Sequence, residues 1–474
     1  MRHAFLIFGL VLGACASATE GVIPPPPADA GSVDGGSVPA DAGASAVDAG
    51  IPSDRWWQLI HVPEPSDTSR SNYQFVGALT VASDGTTIVG GRGVEAIEFG
   101  VPSTGAGYLY LDAIDALGRP QWVRRVGELS TTGYAQIDAL AVGPAGQIYV
   151  GGMFRGGTLD LGDGPHQVAG ASDIFIAAFD GSGAILWSMT RGGSGFDTFG
   201  ALAADEGGVV AAAQVDGHLA LLRISSAGEV RVDVRSPGVI ALNGETCPAT
   251  AVALAPGGDI LVAGINGAAS DFGGGTVQGT GFDVGWFVAF TSAGAYRWQR
   301  ILTTDAGNPV VGSGLNVRGL LVRGDEVLLG GAFPGRVDFG GGPVDAGSSI
   351  NPETPFVARY AAADGAFRGV EVLPAPSGLL GLSADNSGAA VATLRGFSPN
   401  AALRLVTLGA MGQVASSTIV EDIDPSVGTV TAAAYGPHGV TFALSILGPQ
   451  PLVGTSIKGI GPYDSLIVRL PAKR

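Results

Sequence analysis

The side chains that could do chemistry are few and dispersed. An acidic residue before an apolar residue and a glycine recurs as Asp271-Phe272-Gly273, Asp338-Phe339-Gly340, Asp160-Leu161-Gly162 and Glu98-Phe99-Gly100. A carboxylate can ligate Ca²⁺, but that ion takes six to eight oxygens from closely spaced acids. Here each repeat supplies one acid, which fits a side chain that organises a turn and packs neighbouring repeats. The densest site, "DLGDGPH" at 160–166, adds two carboxylates and one imidazole. No metal site is expected. Five histidines occur; beyond His3, none of His61, His166, His218 or His438 sits in a zinc-type or nucleophile-elbow pattern. Ser194, in "GGSGFD", reads as part of a loop. No catalytic residue and no cofactor are expected, although carboxylates brought together from distant repeats would not show in the sequence. Trp122, Trp187 and Trp298 recur at one place in their repeats and read as packing anchors rather than stacking platforms.

The elements that would position these groups are strands. Gly (78) and Pro (29) are abundant among the 474 residues, and only 14% are charged. That composition suits many short strands joined by turns. The formal net charge is −17, and the only lysines are Lys458 and Lys473. A surface this acidic repels phosphate, which excludes nucleic acid as a partner.

One unit recurs seven times. Its second half opens with "DIFIAAFDGSGAILW" at 173–187 and returns from Tyr108, His218, Trp286, Pro355, Ala402 and, cut short, Asp464. Period-2 apolar alternation around a turn ending in Gly predicts an antiparallel hairpin, strands c and d. Ahead of each lies a strand a and strand b pattern, beginning at Ala78, Ala139, Ala201, Ala251, Gly319, Gly381 and Ala432. Its first half is rich in Ala, Gly, Leu and Val, as expected of an innermost strand where sheets converge. Four strands every 50 to 67 residues, roughly, is the period of propeller blades. The seventh copy ends without strand d, while "RWWQLIHV" at 55–62 resembles one when Trp57 is aligned with Trp122, Trp187 and Trp298. The fold expected is therefore all-β: a seven-bladed β-propeller of four-stranded antiparallel blades over 55–474, closed by an N-terminal strand completing the C-terminal blade. Strand alternation puts the b–c and d–a connections on one face. The longest, including 153–171, 265–281 and 332–353, are expected to form a recognition surface around the channel mouth, removable without unfolding the ring.

The N-terminus carries a different signal. "MRHAFLIFGLVLGAC" at 1–15 has a basic start, then an apolar run too short to span a hydrocarbon core about 30 Å thick. Leu12-Gly13-Ala14-Cys15 resembles the lipobox of bacterial lipoproteins. The resemblance implies cleavage after Ala14, a signal peptide over 1–14 and lipidation of Cys15, giving stable membrane attachment. Ordinary signal cleavage between Ala16 and Thr19 is the alternative. Residues 15–54 contain "PPPP" and three Asp-Ala-Gly triplets with almost nothing bulky, a composition that predicts an extended, disordered linker. Cys247 is the second thiol; with Cys15 acylated it has no intramolecular partner, and burial in a loop is favoured over crosslinking.

Units such as "SDFGGGTVQGTGFDVGWFVAFTSAGAYRW" at 270–298 and "VDFGGGPV" at 337–344 make the chain similar to the bacterial seven-bladed β-propeller (SBBP-type) repeat family. The third and sixth units depart from it by lacking the Asp-Phe-Gly segment. Tryptophan-bearing blade repeats also occur in quinone-cofactor dehydrogenases, but no separate cofactor signature accompanies them here. The family implies a secreted or surface-attached propeller and no particular reaction. The function expected is a monomeric, membrane-anchored, non-catalytic module binding a protein or polysaccharide at the cell envelope, on the periplasmic or surface face of the outer membrane. The alternative is an envelope glycan hydrolase or lyase with carboxylates at the channel mouth.

Overall fold

A computed structural model describes residues 56–60, 73–94, 107–130, 133–239, 249–266, 271–276, 284–304, 315–346, 354–373, 377–384, 390–396, 403–420, 428–446 and 464–471. Among them every regular element is a strand. β1 (Trp56–Ile60) stands apart from the first blade, which is β2 (Tyr73–Val81), β3 (Thr87–Val94), β4 (Gly107–Ile114) and β5 (Pro120–Leu129). Blade 2 is β6 (Tyr134–Val142) and β7 (Ile148–Arg155), a small hairpin of β8 (Thr158–Asp160) and β9 (Pro165–Gln167), then β10 (Asp173–Phe179) and β11 (Ile185–Arg191). Blade 3 is β12 (Thr198–Asp205), β13 (Gly208–Val215), β14 (His218–Ile224) and β15 (Val230–Val239). Blade 4 is β16 (Ala249–Leu254), β17 (Ile260–Asn266), β18 (Val284–Phe290) and β19 (Tyr296–Thr304). Blade 5 is β20 (Asn316–Arg323) and β21 (Glu326–Phe333), a second small hairpin of β22 (Arg336–Asp338) and β23 (Pro343–Asp345), then β24 (Thr354–Ala361) and β25 (Phe367–Val372). Blade 6 is β26 (Ser377–Ala384), β27 (Ala390–Gly396), β28 (Leu403–Leu408) and β29 (Val414–Val420); blade 7 is β30 (Gly428–Gly436), β31 (Gly439–Ile446) and β32 (Asp464–Pro471).

The first strand of each blade packs against the first strand of the next, from β2 to β30, and β30 packs back on β2. The ring is therefore closed. The sheet of blade 7 runs β1-β32-β31-β30, so the N-terminal strand supplies its outer edge as the repeats require. The register differs by one residue from the expected alignment. Trp56, opposite Arg469, occupies the place that Trp122, Trp187 and Trp298 hold opposite Ala113, Ala178 and Ala289; Trp57 lies opposite Val468. Because strand faces alternate with period two, a one-residue shift exchanges the faces, and only Trp56 can meet the next blade. It does so at Gly118 of blade 1, where an added Cβ would lie 2.4 Å from the indole. Gly118 has φ 81°, as the turn between β4 and β5 demands, so this glycine is held by both backbone and ring.

The seven apolar clusters of the core coincide with the seven blade boundaries; for example, Phe154, Phe175 and Phe179 of blade 2 meet Leu109, Leu111 and Leu129 of blade 1. Each inner strand also carries a bulge at one place, at Gly77, Asp138, Gly200, Thr250, Arg318, Leu380 and Thr431. Such a bulge bends a strand. At Gly77 an added Cβ would fall 1.9 Å from the Ile137 carbonyl oxygen, which shows how closely inner strands approach.

Arg469 closes the ring chemically. It is 1% exposed, and its guanidinium donates to the Gly85 carbonyl at 2.8 Å and the Thr87 hydroxyl at 2.7 Å, both in blade 1, while lying over the Trp56 ring. Burial lowers its pKa to about 10, so it stays charged at neutral pH.

Candidate functional site

The recurring acids organise turns. Asp160 Oδ1 accepts the N–H groups of Gly162 and Gly164, Asp271 Oδ1 those of Gly273 and Gly275, and Asp338 Oδ1 those of Gly340 and Gly342, all between 2.7 and 3.2 Å. The following apolar residue is driven inward. Leu161 enters the cluster between blades 1 and 2, Phe272 stacks against Trp286, and Phe339 lies between Phe333 and Phe356. Among the described residues no group of three His, Cys, Asp or Glu could hold a metal ion.

These segments also correct the expected location of the long connections. β8 pairs with β5 at Glu128 and Leu129, and β22 pairs with β19 at Thr303 and Thr304. Each hairpin thus leaves its own blade and extends the outermost strand of the blade before it. Asp271 does the same with one bond, its carbonyl accepting from Gly238 N of β15 at 3.0 Å. The described parts of 153–171, 265–281 and 332–353 are straps on the outer rim, not a wall around the channel mouth. They bury Leu161, Phe272 and Phe339 to within 3% exposure, so removing them would strip core packing rather than spare the ring.

Near the first strap three residues mimic a nucleophilic triad. Ser188 Oγ donates to Asp163 Oδ1 at 2.6 Å and lies 2.6 Å from His166 Nε2, while Ser188 N donates to Asp163 Oδ2 at 2.7 Å. In a working triad the carboxylate holds the imidazole and the imidazole takes the serine proton. Here the serine gives its proton to the carboxylate, so the hydroxyl is not activated. The trio ties the β8–β9 hairpin to β11.

At the boundary of blades 2 and 3 the connection between β13 and β14 is only Asp216-Gly217, too short for a strap. Acidic side chains take the strap's place. Asp197 Oδ2 accepts from Gly193 N and Oδ1 from Asp216 N, both at 2.7 Å, and Asp216 Oδ2 accepts from Arg235 at 3.0 Å. Asp173 Oδ2 accepts from Ala169 N at 2.9 Å. Burial raises the Asp197 pKa, partly offset by its two backbone donors, and the Asp216 and Asp173 carboxylates raise it further.

A second polar group lines the inner strand of blade 2. Tyr134 Oη donates to Gln136 Oε1 at 2.7 Å, and Gln136 Nε2 donates to Asp138 Oδ1 at 2.6 Å. The three sit at alternate positions on the face of β6 opposite Ala135 and Ile137, which join the blade 1–2 cluster. Asp138, at the bulge, is 6% exposed with Oδ2 unpaired, and burial raises its pKa to about 8. It is therefore a neutral acid at pH 7. At the outer end the guanidiniums of Arg92 and Arg155 lie 4.1 and 4.8 Å from the Tyr134 ring centroid. Nothing in the sequence singled out this column, because Asp138 and Tyr134 belong to no motif and only the bulge defines their place.

The tryptophans are anchors. Trp122 Nε1 donates to Gly181 O and Trp187 Nε1 to Ser226 O, both at 2.9 Å and both in the turn between the third and fourth strands of the next blade. His218 Nδ1 meets Ser236 O at 2.8 Å, and Ser194 is exposed in the β11–β12 turn. Ala14, Cys15, Cys247, His3, His61 and Glu98 lie outside the described residues, as do most of the connections from 240 to 248, 305 to 314 and 447 to 463.

No family model matches the sequence, and no curated protein matches it significantly. Similar solved structures include BamB from Moraxella catarrhalis, at 12% identity over 84% of each chain with TM-score 0.33. A periplasmic gluconolactonase from Pseudomonas aeruginosa is 11% identical over 72% of this chain and 84% of its own, TM-score 0.42. Quinohemoprotein alcohol dehydrogenase from Comamonas testosteroni is 11% identical over 85% of this chain and 76% of its own, TM-score 0.40. Likeness at this level carries no argument about activity or partners.

Proposed function

We propose that the chain is a lipid-anchored envelope protein of the SBBP-type repeat class, whose propeller binds a protein or polysaccharide partner without catalysing a reaction. In this reading the signal peptide is cut after Ala14, Cys15 carries the lipid, residues 15–54 are the tether and the ring is monomeric. The supporting observation is how the acids are spent: Asp160, Asp271 and Asp338 hold turns, Asp163 and His166 hold Ser188, and Asp197 caps Gly193. Groups engaged this way stabilise a scaffold and leave recognition to its surfaces.

The enzymatic alternative has one point in its favour, the neutral carboxyl of Asp138. Glycan hydrolysis needs a second carboxyl about 5 to 10 Å away in a cleft that admits substrate. Asp138 hydrogen-bonds to an amide instead and is 6% exposed.

Two measurements test the reading. Cells given an alkyne fatty acid should label the wild-type chain, and Cys15→Ser should abolish the label and leave the precursor uncut; labelling of the variant would refute the anchor. The full chain incubated with envelope polysaccharide should retain it at unchanged chain length, whereas shortened glycan would establish the alternative.

A further inference from the structure

We propose that the mouth of the ring at blades 1 and 2 binds a sugar acid, with Arg155 and Arg92 receiving its carboxylate and the Tyr134 hydroxyl receiving one of its hydroxyl groups. This rests on the binding reading above and gives it a ligand class.

The charge distribution comes first. The chain carries a net charge of −17. Arg119, Arg125, Arg191, Arg223, Arg231, Arg235, Arg297, Arg323, Arg359 and Arg368 each pair with an acid. Arg155 has no ion-pair partner among the described residues. It closes β7 opposite Tyr134, which opens β6, and Arg92 reaches the same ring from β3. The ring's negative face attracts both cations, but an aromatic ring carries no net charge and neutralises neither. Two planar guanidiniums brought to one ring form a receptor for a carboxylate, which each can grip through paired N–H donors.

The geometry of the column supplies the second element. Tyr134 donates its proton inward to Gln136, and Gln136 donates onward to Asp138. The phenolic oxygen therefore faces the mouth as an acceptor, suited to a ligand O–H. Carboxylate recognition beside hydroxyl recognition describes a hydroxylated carboxylic acid.

Access sets the size. Arg92, Tyr134 and Arg155 are half-buried, and they stand on the first and second strands of their blades, inside the outer strands. A small molecule or a narrow terminal residue reaches such a place; a folded partner's surface does not. A long polyanion is further disfavoured by repulsion from the rest of the acidic chain.

The test is calorimetric titration of the full chain with D-glucuronate and with D-glucose, which differ at the carboxylate. Glucuronate should bind saturably and glucose should not. Arg155→Gln should weaken glucuronate binding about tenfold or more, Arg155→Lys less because charge remains without the planar fork, and Tyr134→Phe about threefold. Should Arg155→Gln fail to fold, as judged by its thermal transition, Arg92→Gln carries the same expectation. Absence of glucuronate binding, equal binding of glucose, or full affinity in the folded arginine variant would overturn the assignment. Polysaccharide retention is scored separately: retention without glucuronate binding removes this site alone, whereas glucuronate binding without retention removes the broader reading alone.

Discussion

Two neighbouring boundaries solve one packing problem with different materials. Between blades 1 and 2 the outer strand β5 is met by the backbone of β8, and Leu129, Leu159 and Leu161 fill the space beneath. Between blades 2 and 3 the strap is missing, and the equivalent backbone position at Gly193 is met by the Asp197 carboxylate, with Asp173 and Asp216 close by. Further in, β6 turns Ile137 toward blade 1 and Asp138 away from it. One boundary is apolar and insensitive to pH. The other depends on acids that titrate.

The comparison breaks most sharply where a strap carries the most packing. Phe339 is 2% exposed between Phe333 and Phe356 on the strap of blade 5, and Tyr360 Oη donates to its carbonyl at 3.0 Å. Phe339→Ala should lower unfolding stability by about 3–5 kcal/mol, measured as a fall in the denaturant midpoint at unchanged slope. A loss below about 1 kcal/mol would mean the straps ornament the rim without supporting it.

Why the straps escaped a reading of the sequence is itself physical. Period-2 alternation and turn glycines fix the four strands of each blade, and the missing final strand fixes the closure, because both are local or countable. The partner of a three-residue strand such as Arg336–Asp338 is set by tertiary docking, and no periodicity in so short a segment says which edge it will join. Trp56 and Trp57 differ in outcome by one register step, which adjacent identical residues conceal. The Asp-Phe-Gly acids were legible as turn formers because the glycines two and four residues on supply the N–H groups. Asp138 was not legible, since its burial follows from a bulge that only the inner ring reveals.

Asp138 sharpens the comparison through pH. Its folded pKa, about 8, lies above the ordinary value of 3.8, so the folded chain holds a proton that the unfolded chain releases. Stability is then greatest below the unfolded pKa and is lost as pH rises from about 4 through about 8. Each unit corresponds to about 1.4 kcal/mol, a ceiling that local relaxation reduces. Asp138→Asn keeps a hydrogen-bonding amide and removes the titration. It should stabilise the chain by about 2–3 kcal/mol at pH 9, have little effect at pH 4 and flatten the stability profile between them. An unchanged profile would show that another group governs the alkaline loss.

The smallest effect separates a clamp from a reaction centre. Ser188, Asp163 and His166 join the first strap to β11, and the Asp163 and His166 side chains are 31% and 24% exposed. Water competes at such a site, so Ser188→Ala should cost about 1 kcal/mol or less. A fluorophosphonate probe, which reports a serine whose proton is drawn off by a base, should label neither the wild type nor the variant. Labelling of the wild type that disappears in Ser188→Ala would reverse the proton assignment, placing the Ser188 proton on His166 rather than toward Asp163, and would make the rim of blade 2 the seat of an acyl-transfer activity.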